Sequence, residues 1–482
     1  MKSFLYALLL LIAIESTAQD KWDLRRCVDY AMKNNISVKQ ADVLARISQL
    51  QLKQAQLDLY PNATFNTGLG SQFGLSIDRV TNVYSNVQSI YQTYQFQSGI
   101  QLYNANRLWD NISYAKFSAK AALADVEKAA NDAALSVCTY YLQVLAAKEQ
   151  VTISQLQISQ TQSQLQLTQK QVDAGALPEL NRVEIEAQLA NDSSTYITAE
   201  ITYEQSVLSL KSVLNLDAAA PFEVAIPEAA SIPVLPLGEM QPEVVYQLAL
   251  GNQPLQIGNE FRIKAAAKNI EAYKAQLYPT LAFGVNLTSS FYNSLQNYTY
   301  GIGSYSQTLD YVNVPGNSNP IYVYTPNITE QKSKNSFGQL WNGYGSQLSN
   351  NFGQTLGFNL SIPIFNNGQY RIAYEQSKLT YKTQLLNKEG ANMTLKQNIY
   401  TAYSNAISAI QKFNAGKKSV ESNQKAFDFA TKRYELGLLS TIDLLTNQNN
   451  LLRAKLQQVS NEYDYIFKMK LLEFYKGQGL KL

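Results

Sequence analysis

The chain has 482 residues, 45% apolar and 16% charged, with a formal charge of +3, two Cys and no His. Lack of histidine removes Ser-His-Asp and Cys-His catalysis, His-ligated zinc and the imidazole pH switch. Near-neutral charge leaves no basic surface for a nucleic-acid partner, and a slightly negative mean hydropathy argues against a bundle of transmembrane helices.

Residues 1–18 read as a secretory signal. Lys2 gives a positive start, Phe4 to Ile14 an apolar run, and Ser16-Thr17-Ala18 a small-residue site for cleavage before Gln19. The apolar run is shorter than the roughly 20 residues a spanning helix needs. Arg25 and Arg26 precede Cys27, so no lipobox is present.

The rest of the chain repeats itself. Leu59-Tyr60-Pro61 recurs as Leu277-Tyr278-Pro279 at an offset of 218, which also carries Ala31 onto Ala249 and Asn34 onto Asn252. Tyr103-Asn104 matches Phe365-Asn366 and Gly175 matches Gly437 at an offset of 262. The chain therefore divides into a first copy, 19–216, and a second, 242–482, joined by a linker at 217–241 that Pro221, Pro227, Pro233 and Pro236 keep from being helical.

Within the first copy, residues 24–60 read as helix and 63–104 as a hairpin of two alternating strands. Phe65, Leu69, Phe73 and Leu75 oppose Asn66, Gly68, Gln72 and Gly74; Tyr94, Phe96, Ile100 and Leu102 oppose Gln95, Gln97, Gly99 and Gln101. The second copy repeats the hairpin over 280–365, with an insert at 289–352 rich in Tyr, Asn, Ser and Gly. Period-two strands of about ten residues fit a half-buried sheet, and equally a transmembrane barrel with lipid outside and a polar lumen. Two isolated hairpins with a nearly uncharged polar face favour the barrel over a soluble sandwich. The insert reads as a self-packed external loop, or more sharply as a lid or recognition element.

From Ala105 to Val172 there is neither Pro nor Gly, enough for a helix approaching 100 Å. Val144, Val151, Ile158, Leu165 and Val172 recur every seven residues, as do Ala406, Phe413, Val420, Phe427 and Tyr434 in the second copy. These read as coiled-coil seams. The opposite faces, with nine Gln between 150 and 171, suit the polar wall of a tube.

Four strands cannot close a bacterial barrel, and an open edge in lipid leaves backbone groups unpaired at several kcal/mol each. Copies must therefore assemble and pair strands, with the helices hanging on the periplasmic side of a Gram-negative outer membrane.

Helix, Tyr-Pro, hairpin, long helix, Gly-containing tip and return helix, twice over, resembles the TolC-like outer-membrane efflux family. Gly357 to Gly368 resembles its strand-to-helix motif and Gly437 to Leu445 its periplasmic tip. The resemblance implies an α+β membrane protein: a homotrimer sharing a twelve-stranded β-barrel, with a periplasmic α-helical coiled-coil barrel closed by an iris. It also implies a periplasmic adaptor (membrane fusion) protein and an inner-membrane RND or ABC transporter as partners, with substrates passing unchanged. Type I protein secretion and polysaccharide export are the near alternatives; a non-conducting adaptor or structural coiled coil is the alternative of another class.

The tips at 173–181 and 435–443 carry the candidate gate: Gly175, Pro178, Asn181, Tyr434, Gly437 and Asp443. Glycine supplies the unrestricted turn position. Asp443 reads either as a helix cap or as one third of an anionic ring. The resemblance implies a tip held by Tyr and Arg bonded to an Asp of the neighbouring hairpin. Tyr434 matches the Tyr, but Asn181 stands at the Asp, Leu439 at the Arg and Thr446 at a second acidic position. Closure by packing and neutral hydrogen bonds, including Tyr434 to Asn181, is expected instead.

Pro61, Pro279 and Pro363 mark strand–helix transitions. Cys27 and Cys138 fall at similar helical distances from the strands, so either a disulfide or two separate buried thiols fits. No carboxylate cluster, nucleotide fingerprint or metal-ligand spacing calls for a cofactor, a metal or an enzyme.

Overall fold

The computed structural model describes residues 21–77, 84–226, 236–316 and 318–477; residues 1–18, expected from the sequence to be a secretory signal, and linker residues 227–235 lie outside them. In chain order the elements are α1 (Leu24–Asn34), α2 (Ile36–Leu57), β1 (Asn62–Ile77), β2 (Tyr84–Tyr103), α3 (Arg107–Asp173) and α4 (Glu179–Leu214). The second copy supplies α5 (Pro242–Asn252), α6 (Pro254–Ala275), β3 (Thr280–Ser294), β4 (Gln296–Val312), β5 (Ile321–Lys334), α7 (Phe337–Leu340), α8 (Tyr344–Asn350), β6 (Gly353–Ser361), α9 (Gln369–Glu435) and α10 (Thr441–Lys476).

The two offsets carry helix ends onto helix ends. A shift of 218 moves α1 and α2 onto α5 and α6, and a shift of 262 moves α3 and α4 onto α9 and α10, with 67 residues in each long helix and 36 in each return helix. The expected single helix at 24–60 is broken at Asn35, whose side chain accepts from the Ser37 amide (2.9 Å) and donates to the Val213 carbonyl (2.9 Å). That is N-cap chemistry, which restarts a helix. In the second copy Pro254 begins the new helix, where its missing N–H costs nothing.

Compactness cuts across the copies. One unit holds 54–110 and 271–374, the strands of both; the other holds the remaining helices. In the first, four antiparallel strands run β1-β2-β3-β6, and β4 pairs only with β5. Register puts Phe65, Phe96 and Leu287 on one face with Ile100, Phe283 and Phe358. The opposite face carries Asn66, Gln95 and Thr288, then Gly99, Gly284 and Gly357. None of the four strands contains Asp, Glu, Lys or Arg. Away from the insert the apolar face is bare: Phe65, Leu69, Leu356, Phe358 and Leu360 are each at least 60% exposed. A soluble protein would not leave such a surface uncovered.

The insert departs from a plain loop. β3 runs to Ser294, β4 and β5 form their own hairpin, and α7 and α8 fold back onto β3. At both strand-to-helix turns two successive residues are left-handed, Ala105 and Asn106 in one copy and Asn367 and Gly368 in the other. Pro61 and Pro279 each stand one residue before a strand, and Pro363 two residues after β6; proline is tolerated at strand ends because it lacks a ladder donor.

In the helical unit the main core gathers Leu24, Cys27 and Val28 of α1, Val137 to Leu145 of α3, Leu210 and Leu214 of α4, and Val459, Tyr463 and Ile466 of α10. Cys27 and Cys138 both lie in it, and both are free thiols rather than a bridge. Burial pushes each up to about 12. The described start of the linker is a strap, not a loose tether. Trp22 exchanges backbone bonds with Glu223 and Ala225 (2.8 Å each), and the Lys211 ammonium holds the Ala218 and Ala220 carbonyls.

Candidate functional site

The two hairpin tips share one backbone design. At the first, the Gly175 amide donates to the Val172 carbonyl (2.9 Å) and Ala176 to Gln171 (2.8 Å); at the second, Gly437 donates to Tyr434 (2.9 Å) and Leu438 to Arg433 (2.8 Å). This paired six-to-one, five-to-two pattern needs a left-handed residue, and glycine takes it without a Cβ clash. Gly175 and Gly437 have φ of 72° and 71°.

The restarts differ. Pro178 is the N-cap of α4 and offers no side-chain bond, whereas the Ser440 hydroxyl accepts from the Asp443 amide (3.2 Å) and donates to its carboxylate (2.7 Å). Ser440 is thus the cap of α10, and Asp443 is an exposed carboxylate in its first turn, where the helix N-terminus favours negative charge. Asn181 occupies the equivalent position in α4 and is half-buried.

Behind the turns sits a small apolar core of Ala430, Tyr434 and Leu444, with Leu177, Phe427 and Leu439 against it. Leu177 and Leu439 come from different tips, so the hairpins meet here through aliphatic packing. The sequence suggests a hydrogen bond from Tyr434 to Asn181, but within the chain the Tyr434 hydroxyl has other partners. It is buried and shared with Thr168 (3.1 Å) and Thr441 (3.4 Å).

Further from the tips the hairpins are joined by polar layers that the heptad reading missed. Thr161 donates to Asp192 (2.6 Å) and accepts from Gln448 (2.8 Å), while Gln188 and Asn449 exchange two bonds (3.1 and 3.2 Å). Asp192 is 2% exposed, and Gln188 (2.8 Å) and Gln157 (3.4 Å) also donate to it. On α3 the buried stripe toward the tip is Ser154, Gln157, Thr161 and Thr168, not Ile158 and Leu165, which are only half-buried. Both sets recur at helical spacing, so apolarity alone does not find the set that is buried within one chain.

A buried side-chain network without cations, joined to aliphatic contacts, can hold two hairpins together or release them. Among the described residues no group of acidic, Cys or His side chains could hold a metal ion, and no helix is long and apolar enough to cross a membrane.

A family model described as outer membrane efflux protein matches residues 28–216 and 324–473. The toxin and drug export protein A of Aggregatibacter actinomycetemcomitans is 19% identical over 445 residues, 92% of this chain and 83% of that protein. Among solved structures, the outer membrane protein VceC of Vibrio cholerae aligns with a TM-score of 0.70 at 14% identity, over 95% of this chain and 97% of the other. The Campylobacter jejuni CmeC outer membrane channel aligns with a TM-score of 0.68 at 16% identity, over 95% and 86%.

Proposed function

The chain belongs to the outer membrane efflux protein family, and from that premise we propose how one subunit becomes a conduit. It is the outer-membrane channel of an efflux system and not an enzyme. The observation that carries the reading is the charge-free sheet, apolar and bare on one face, polar on the other, with two open edges at β1 and β6. In lipid those edges must be paired. Three copies would supply twelve strands and close a barrel, apolar outward and Gly, Asn, Gln and Ser inward. The helices would then form a periplasmic tunnel ending at the tips.

The repeat supports a specific packing between copies. Within the chain Phe117 of α3 stacks on Phe261 of α6 (6.5 Å), and Cys138 and Leu145 share a core with Val459 and Tyr463 of α10. Shifting α3 forward by 262, α6 back by 218 and α10 back by 262 gives Leu379 against Val43, and Tyr400 and Ile407 against Ile197 and Ile201. All six are exposed in one chain, from 36% for Ile407 to 65% for Leu379. Ile372, Leu379, Leu386, Met393, Tyr400 and Ile407 form an exposed heptad stripe on α9, whose first part would face Ile36, Val43 and Leu50 of α2 and whose last part Ile197 and Ile201 of α4 in the next copy.

At the tips, Leu180, Leu436, Leu438 and Ile442 are more than 60% exposed. They would dock the helical tips of a periplasmic adaptor fed by an inner-membrane RND or ABC transporter. The gate is closed by Tyr434–Thr168, the packing of Leu177 against the Tyr434 and Leu444 core, and the Asp192 layer, and opens as the hairpins part.

A Leu379→Cys/Val43→Cys pair in a Cys27→Ala/Cys138→Ala background should give a trimer ladder with a short bis-maleimide. Only monomer would overturn the assembly. In planar bilayers, closed-state conductance should scale with bulk salt; a channel that opens sharply on raising salt alone would overturn the neutral latch. Recovery of the protein without detergent would defeat the channel reading itself.

A further inference from the structure

The insert folds back onto a particular side of the sheet. Phe291, fully buried, stacks on Trp341 (ring centroids 5.5 Å apart, planes 13° apart) and meets Tyr344 edge-on (5.0 Å). Ser289 donates to the Leu348 carbonyl (2.7 Å) and Asn293 to the Leu340 carbonyl (2.9 Å). The Tyr344 hydroxyl donates to Gln92 (3.1 Å) and bonds the hydroxyl of Tyr94. By register Ser289, Phe291, Asn293, Gln92 and Tyr94 share the face that carries Phe96, Leu287 and Phe283. The segment therefore covers the end of the apolar face, not the polar one.

Beyond that contact it keeps apolar and basic groups outward. Phe337 is 78% exposed and Phe352 50%. Lys332 and Lys334, both exposed, are its sole charged residues; 332–352 contains no Asp or Glu. We propose that residues 332–352 form a collar outside the barrel, seated in the phosphate-bearing headgroup layer of the outer leaflet, rather than a lid over the lumen. The collar rests on the reading of the apolar sheet face as lipid-facing. Aromatic rings with one wet edge settle at that depth, and lysine stems reach from apolar surface to phosphate.

The test uses the full-length assembly in phosphatidylcholine vesicles carrying nitroxide lipids, and takes Trp341 emission as wild type minus Trp341→Phe. The collar predicts stronger quenching by headgroup and shallow-chain nitroxides than by deep-chain ones. Replacing part of the phosphatidylcholine by phosphatidylglycerol should raise shallow quenching by roughly twofold, and Lys332→Glu/Lys334→Glu should remove that rise. Phe358→Trp, in the middle of the apolar band, should be quenched by deep nitroxides. If Phe358→Trp is quenched and Trp341 is not, the collar is wrong and the barrel reading stands. If neither is quenched, the lipid-facing assignment falls first. A rise with phosphatidylglycerol that survives the double Glu variant overturns the lysine–phosphate contact.

Discussion

The two hairpin tips repeat one backbone and diverge in chemistry. Both turn through a glycine at φ near 70° with the same pair of closing bonds. Only the second has a side-chain-capped restart and a buried leucine in its first turn; both carry an exposed carboxylate there, Glu179 in α4 and Asp443 in α10. Duplication preserved the geometry of the turn, and divergence gave the second tip most of the contacts that hold the pair. A trimer would thus place three gate-bearing and three plainer tips around its axis.

That asymmetry can be broken by substitution. Leu444→Ala empties a site that is 1% exposed and should cost about 2–5 kcal/mol locally. Arg182→Ala, at the equivalent place in α4, should stay within about 0.5 kcal/mol. Amide hydrogen exchange of the peptides spanning each tip reads both; equal acceleration would erase the distinction. Gly175→Ala and Gly437→Ala should each cost about 1–2 kcal/mol, and alike, since the backbone is shared; a marked inequality would mean that the turns are not equivalent. Ser440→Ala should cost about 1 kcal/mol and Pro178→Ala almost nothing, read by the same exchange. The smallest effect concerns selectivity. Asp443→Asn should lower the cation-over-anion permeability ratio in bilayers, and Asn181→Asp should raise it, with exchange protection changed by no more than about 1 kcal/mol.

The sequence was most informative where spacing alone fixes structure. Tyr-Pro before each first strand and glycine at each tip located the repeat, and strict alternation located the sheet faces. Residues whose place depends on an unseen neighbour stayed illegible. Gln157, Thr161 and Thr168 look like a solvated stripe until Asp192, Gln448 and Tyr434 are set opposite them. Tyr434 found Thr168 rather than Asn181 because its ring is buried between the hairpins, away from the exposed turn. Asn35 gave no hint in apolar periodicity, since a cap acts through one side-chain oxygen. The fold of the insert hinges on Phe291, which continues the strand alternation so smoothly that nothing marks it as a docking point for Trp341.

The equal lengths of paired helices, 67 and 67, then 36 and 36, act as a ruler. One residue added to α3 alone would displace its tip by about 1.5 Å and turn it by about 100° relative to α9, unseating Leu177 from the core of Ala430, Tyr434 and Leu444. Growth of the chain is therefore tolerated only where no twin has to keep step. The 44 residues by which the second copy exceeds the first all lie between Pro279 and Phe365, at the one end of the repeat that is free to vary.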